Sequence, residues 1–253
     1  LASWDHAQYL KFGDERTRAA RELLARVSLE RPEHVVDLGS GPGNSTALLR
    51  ERWPAAHIVG VDNSPEMLAR ARADYPDLEW VEADAASFEP AQRADLLFAN
   101  AVFLWLPEHA TLFPRLLGRL APGGVLAVQM PHNFHEPSHR LMRELRARLL
   151  PERPEPAALT PVESAAFYYD LLAPAARRVD IWRTTYQHVM ADPAAIVEWV
   201  KGAGLRPYLE DLEPPRREQF LDEYTQAIGA AYPARSDGKR LFAFPRLFLV
   251  AER

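Results

Sequence analysis

The chain has 253 residues, 47% of them hydrophobic and 10% aromatic, with Lys plus Arg 30 against Asp plus Glu 35 and a net charge of -5. This is enough apolar material for a sizeable core, while the acidic balance lacks the electrostatic footprint of a duplex-binding protein, so no nucleic-acid partner is expected. The longest nearly apolar stretch, 96–106, is broken by Asn100 and falls short of the ~20 residues that span a bilayer; the absence of cysteine excludes disulfides, a thiol nucleophile and cysteine metal sites, and fits a soluble, cytoplasmic protein.

Residues 14–27 set Ala19, Leu23, Leu24 and Val27 at three- and four-residue spacing, which predicts an amphipathic helix. After it, short apolar runs at 34–38, 57–61, 80–81, 95–99 and 124–130 alternate with helical patterns at 44–53, 65–74 and 108–120. Strand and helix in alternation imply right-handed crossovers and a parallel sheet covered on both faces. The helix starts agree, since Asn63-Ser64-Pro65 puts an acceptor side chain ahead of a proline in the first turn. From Pro131 the regularity fades, and the proline-rich stretch 151–161 reads as a loop. Helices at 193–201 and 216–232 and strands at 179–190 and 241–251 follow. The expected organisation is a single α/β domain over 1–253, doubly wound and Rossmann-like, with cap insertions at 131–160 and 191–240 over the ligand crevice.

The most informative segment is Val35-Val36-Asp37-Leu38-Gly39-Ser40-Gly41-Pro42-Gly43-Asn44, a buried strand running through alternate glycines into a helix. Glycine accepts positive φ and lets a ligand approach the backbone, so the turn can form a cradle. The G-x-G-x-G spacing differs from the G-x-G-x-x-G of dinucleotide sites. Asp62, with Asn63 after it, ends the next strand, where a carboxylate can accept from ribose hydroxyls. Asp84 and Ala85 end the third strand, offering a carboxylate and a backbone N–H to an adenine, and Asn100 ends the fourth, where carbonyls can hold an ammonium. Each feature alone is an ordinary cap or turn. Together they fall on one rim, at the carboxyl ends of successive strands, and point to nucleoside binding through Gly39, Ser40, Gly41, Asp62, Asn63, Asp84, Ala85 and Asn100.

Here the sequence resembles the class I S-adenosylmethionine-dependent methyltransferases, whose first motif looks like D-x-G-x-G-x-G after the first strand; LGSGPGNSTALL, FANAVFLWLP, GVLAVQMP, VDIWRTTY and the terminal FPRLF extend the resemblance over nearly the whole chain. The resemblance implies a seven-stranded, mostly parallel sheet with an antiparallel last strand, S-adenosyl-L-methionine as cofactor, and methyl transfer to a carboxylate of a small polycarboxylate. Another small-molecule acid or hydroxyl acceptor is the alternative.

A carboxylate acceptor is ionised at neutral pH and needs no general base, so no catalytic acid or base is named. A polycarboxylate does need cations, preferably arginine. Arg183 and Arg246, on the two last strands, are the candidates, with Tyr186 on the strand of Arg183 and Tyr9 ahead of the first helix beside them. Strand alternation sets Tyr186 and His188 on the face opposite Arg183. His132, His135 and His139 with Glu136 invite a metal reading, but Pro137 in a first helical turn leaves His135 outside the helix, so no metal is expected. Phe103 and Trp105 are read as packing a helix on the sheet.

Overall fold

The computed structural model describes residues 13–153, 156, 162–202 and 204–253. In chain order its elements are α1 (Gly13–Ala25), β1 (His34–Leu38), α2 (Asn44–Arg52), β2 (His57–Asp62), α3 (Pro65–Asp74), β3 (Glu79–Glu82), β4 (Ala94–Asn100), a 3-10 turn (Phe103–Trp105), α4 (His109–Gly118), β5 (Leu120–Pro131), α5 (Pro137–Leu149), α6 (Ala165–Leu172), β6 (Arg178–Met190), α7 (Pro193–Lys201), α8 (Arg206–Leu209), α9 (Pro214–Ala231) and β7 (Arg240–Glu252). Among the described residues seven strands form one sheet in the order β3-β2-β1-β4-β5-β7-β6. The first five are parallel, and β7 runs antiparallel to both β5 and β6.

The central strands read as continuous apolar runs because both of their faces are covered. Val35, Leu96, Phe98, Val125, Ala127 and Phe248 pack with Ala19 and Leu23 of α1 and Leu48 of α2 on one face. Val36, Leu97, Ala99, Leu126, Val128 and Leu249 alternate to the other, against Leu112, Phe113 and Leu116 of α4 and Tyr168 of α6. β6 and β7 outrun β5, whose pairing ends at Pro131 opposite Arg246. Their overhanging ends carry Met190, Phe242 and Phe244 into a third core with Met142 of α5, Trp199 of α7 and Tyr224 of α9. That core stands beyond the carboxyl ends of the parallel strands.

The predicted elements of the first half differ from these by a few residues at their ends. β5 begins earlier than its apolar run, at Leu120, because Gly123 takes a left-handed φ of 78° that bends the strand's start without ending its pairing to Ala94. Three helices, α5, α6 and α8, had no predicted body. In α5 the buried face mixes Ser138, His139 and Arg146 with Met142 and Leu145, and α8 has only 4 residues, too few to display a period.

Arg146 explains why a buried cation sits in α5. Its guanidinium is 4% exposed and donates bidentately to Asp211, at 3.0 and 2.7 Å, and to the carbonyl of Tyr208 in α8 at 3.2 Å. The Arg146 hydrogen bonds hold the Asp211 carboxyl at about 2, below its ordinary 3.8. Because that value is depressed in the fold, the pair's stabilisation is full above the ordinary carboxylate range and is lost as pH falls towards about 2. Arg146→Met is expected to lower stability by about 1–3 kcal/mol and to diminish this acid-dependent component, leaving the share that Arg153 supplies to Asp211 at 3.0 Å, as thermal melts at neutral and acid pH would report.

Candidate active site

The crevice is built where β1 turns into α2. Gly39, Gly41 and Gly43 all take positive φ, at 69°, 55° and 96°, which side-chain-bearing residues seldom adopt. The turn is pinned from β2, since the N–H groups of Gly39 and Ser40 donate to the carbonyl of Val61 at 2.7 and 3.0 Å. Asp62 adds the decisive contact, one carboxylate oxygen accepting from Gly41 N–H at 2.8 Å and the other from Ser64 N–H at 2.9 Å. Below the loop Asp37 is fully buried and accepts from Ser45 and Thr46 of α2 at 2.7 and 2.6 Å. Burial outweighs those hydrogen bonds and pushes its carboxyl up to about 7.

A cavity of about 390 Å³ opens above this turn, lined by Gly39, Gly41, Asp62, Asn63, Ala85 and Asn100, with Met67, Val102, Trp105, Leu106 and, from α8, Arg206, Pro207 and Glu210. The volume is in the range of small-molecule and cofactor sites. A side chain on Gly41 would meet no protein atom within 4 Å, and the buried Oδ1 of Asn100 has no hydrogen-bond donor. An unfilled cradle, an orphan acceptor and the Asp62 carboxylate on the wall are features that fit a nucleoside carrying an ammonium. Beyond Asn100 the chain turns through Ala101 at φ 59°, held by its N–H on the Gln129 carbonyl at 2.8 Å. The following turn is fixed by His109, whose Nε2 donates to the Phe103 carbonyl at 2.9 Å while Nδ1 accepts from the Tyr168 hydroxyl at 2.8 Å.

Two predicted cofactor residues stand elsewhere. Ser40 is buried beneath the loop, against Gly60, and does not line the cavity; within a turn of alternating glycines its side chain takes the inner side. The exposed Asp84 is turned onto the N–H of Ala86 at 2.6 Å, where it fixes the turn, and only its neighbour Ala85 reaches the cavity wall. Trp105 corrects the packing expectation. The segment forms a 3-10 turn and not the first turn of a helix, so Phe103 enters the core at 0% exposure while Trp105 faces the crevice. Arg206 and Glu210, joined by an ion pair of 2.7 Å, belong to the wall by way of α8, which carries no sequence motif.

The predicted arginines divide. Arg246 is 4% exposed and shares the α1 face with Tyr186, its guanidinium 5.8 Å from that ring and 4.8 Å from Phe244. It donates to Gln129 Oε1 at 3.1 Å, and Gln129 pairs in register with Asn100 at the crevice rim. Arg183 lies on the opposite face, half exposed and 3.9 Å from Glu136; the alternation of β6 separates it from Arg246, so the two do not form one clamp. Tyr186 donates its hydroxyl to Glu22 of α1 at 2.6 Å, and burial followed by that carboxylate raises its pKa. Burial first, then Arg246 and Arg18, lowers the neighbouring His188 to about 4, leaving it neutral. Tyr9 lies outside the described residues. His139 is buried beside Ser138, and burial lowers it to about 4; among the described residues no group of three or more metal-ligating side chains is assembled, and no helix is long and apolar enough to cross a membrane.

A doubly wound sheet with a glycine turn, a carboxylate ending β2 and an open wall at β4 defines a nucleoside-binding enzyme of the methyltransferase class. Residues 35–124 match the methyltransferase domain family. The sheet and its helices superpose on the YcgJ protein of Bacillus subtilis with a TM-score of 0.62 at 13% identity, covering 93% of this chain and 98% of that one. They also superpose on Haemonchus contortus phosphoethanolamine N-methyltransferase 2 in complex with S-adenosyl-L-methionine, with a TM-score of 0.57 at 14% identity, covering 92% of this chain and 52% of that one. Sequence relatives are far nearer. Trans-aconitate 2-methyltransferases of Azoarcus sp. (60% identical, 100% of both chains covered), Methylobacterium radiotolerans (57%, 100% of this chain and 99% of that one) and Escherichia coli (51%, 100% and 99%) align from end to end. The chain belongs to the trans-aconitate 2-methyltransferase family.

The first two glycines of the turn offer a differential test. Both positions have a left-handed φ that strains any side chain, but Gly39→Ala would in addition place its Cβ 2.3 Å from Val102, whereas a Cβ on Gly41 points into open space. Thermal melting is expected to fall for both variants through the strained φ, and Gly39→Ala carries a clash with Val102 that Gly41→Val lacks; Gly41→Val, still folded, loses binding of S-adenosylhomocysteine in a calorimetric titration. Normal binding by Gly41→Val would mean that the loop is not the cradle.

Proposed function

We propose that this chain transfers the methyl group of S-adenosylmethionine to a carboxylate of trans-aconitate, giving a monomethyl ester, and does so in the cytoplasm. The observation that carries the reading is end-to-end similarity to relatives of that name, at 51–60% identity. It is supported by a buried arginine, Arg246, one strand from the residue that pairs with Asn100.

When bound, S-adenosylmethionine supplies an electrophilic methyl on a sulfonium. The residues suited to hold it are Gly39 and Gly41 by close backbone approach, Asp62 by accepting ribose hydroxyls, Ala85 and Met67 along the wall, and Asn100 by accepting from an ammonium. For the acceptor the chain supplies position and dryness. A carboxylate is already a nucleophile at neutral pH, and no side chain need remove a proton. Arg246, set among Phe244, Tyr186 and Phe248 on an apolar face, offers a desolvated cation. It can draw a polyanion against the protein's net charge of -5, because local fields dominate within a Debye length of about 8 Å. Exclusion of water and alignment of oxygen with methyl then supply the rate.

The test is a panel of polycarboxylic acids incubated with labelled methyl donor and read for esters by mass spectrometry. Trans-aconitate is expected to be the best acceptor. Arg246→Met should lower kcat/KM by roughly tenfold to a hundredfold, the equivalent of one charged hydrogen bond, and Arg183→Met by less than about twofold. Methylation of a phenol or another acid in preference to every polycarboxylate would overturn the substrate, and an equal loss in both variants would return Arg183 to the site.

A further inference from the structure

β5 is apolar from Val125 to Met130 except at one position, Gln129, which is 0% exposed. Its amide is not oriented arbitrarily. Arg246 donates to one end of it, and a guanidinium has no acceptor to offer, so the end facing Arg246 is the oxygen and the NH₂ points away. That Nε2 is buried and has no acceptor. On the adjoining strand Asn100, opposite Gln129 in register, leaves its own Oδ1 buried without a donor. A fold that needed only packing at this position would be more stable with an apolar side chain, because burying an unpaired amide is unfavourable. Two orphan polar atoms on register neighbours of adjoining strands, one a donor and one an acceptor, with Asn100 lining the crevice and Gln129 behind it, mark a place where a ligand's polar groups complete the hydrogen bonding.

Resting on the acceptor reading above, we propose that Gln129 is a specificity-determining residue, whose Nε2 donates to the acceptor carboxylate drawn in by Arg246. An amide is suited to the task by its two ends. It accepts from the arginine, which holds it in one rotamer, and donates to the anion, which a glutamate in the same shape cannot do. A lysine or arginine there would repel Arg246. The amide is sealed from solvent, so the acceptor must part the side chains that close over it. The contact then forms in a dry site, where a hydrogen bond to a charged group is strengthened. Asn100 takes the other half of the pair, its Oδ1 facing the cofactor's ammonium, so that donor and acceptor molecules meet across neighbouring strands.

Gln129→Met and Gln129→Glu test this, the second being isosteric and able to pair with Arg246, so that it folds even where the first does not. Steady-state kinetics on trans-aconitate at saturating S-adenosylmethionine are read together with calorimetric titration of S-adenosylhomocysteine. We expect the KM for trans-aconitate to rise about tenfold in Gln129→Met and further in Gln129→Glu, with kcat and the Kd for S-adenosylhomocysteine within about twofold of wild type. An unchanged KM in folded Gln129→Glu overturns the inference. A KM and a Kd that rise together also overturn it, since they mark a structural or cofactor-side role. If the wild type itself forms no ester, the functional reading falls and takes this inference with it; turnover by the wild type with unaltered variants sinks the inference alone.

Discussion

The Asp62 carboxylate is the contact on which the site depends, because it accepts from the backbones of two successive strand-to-helix turns, at Gly41 and at Ser64. One charged group thereby fixes the glycine turn after β1 relative to the start of α3 and still has lone pairs directed into the crevice. The glycines make the arrangement feasible, since three left-handed residues in five positions let Gly39 and Ser40 donate to the Val61 carbonyl while the Gly41 N–H faces the Asp62 carboxylate. Asp37 completes the support from below by tying Ser45 and Thr46 to β1. It is held at about 7 by burial, and the Asp62 charge adds to the shift as a minor cause. The geometry of the glycine turn is thus set by two carboxylates, Asp62 on the cavity wall and Asp37 buried beneath it.

The second constraint is the length of β6 and β7. Both extend past the carboxyl ends of the parallel strands, and their overhang supplies the surface on which α5, α7 and α9 build a separate core. Through Arg146 and Asp211 that core places α8, and with it Arg206 and Glu210, against the wall of the crevice. The strands also divide the two arginines between the faces of the sheet. Alternation puts Arg246 and Tyr186 on the α1 side and Arg183 on the other, so one arginine is desolvated beside Gln129 while the other pairs with Glu136 near the surface.

Much of this was legible in the sequence where a physical period or a turn chemistry is local. The strands β1, β2 and β4, the helix α3 behind Ser64 and Pro65, and the strand-end position of Asp62 all follow from patterns a few residues long. The remainder depends on tertiary placement. Ser40 and Asp84 sit at the right strand ends, but their side-chain directions are decided by Gly60 and the Ala86 N–H, which are not visible in a one-dimensional pattern. Trp105 was misread because a 3-10 turn and an α-helix share an apolar start. Gln129 signals itself only as a polar interruption in an apolar run. Its meaning emerges once the sheet order sets β5 between Asn100 and Arg246.

The most direct measurement is the affinity of Asp62→Asn for S-adenosylhomocysteine by calorimetric titration, alongside its melting temperature. The amide keeps the shape and one acceptor but cannot accept from both backbone N–H groups and a ribose at once. The dissociation constant should therefore rise by roughly tenfold to a hundredfold, the loss of about 1.5–3 kcal/mol typical of charged hydrogen bonds, with the sheet still folded. A folded Asp62→Asn protein that binds S-adenosylhomocysteine as tightly as wild type would contradict the central role given to this carboxylate.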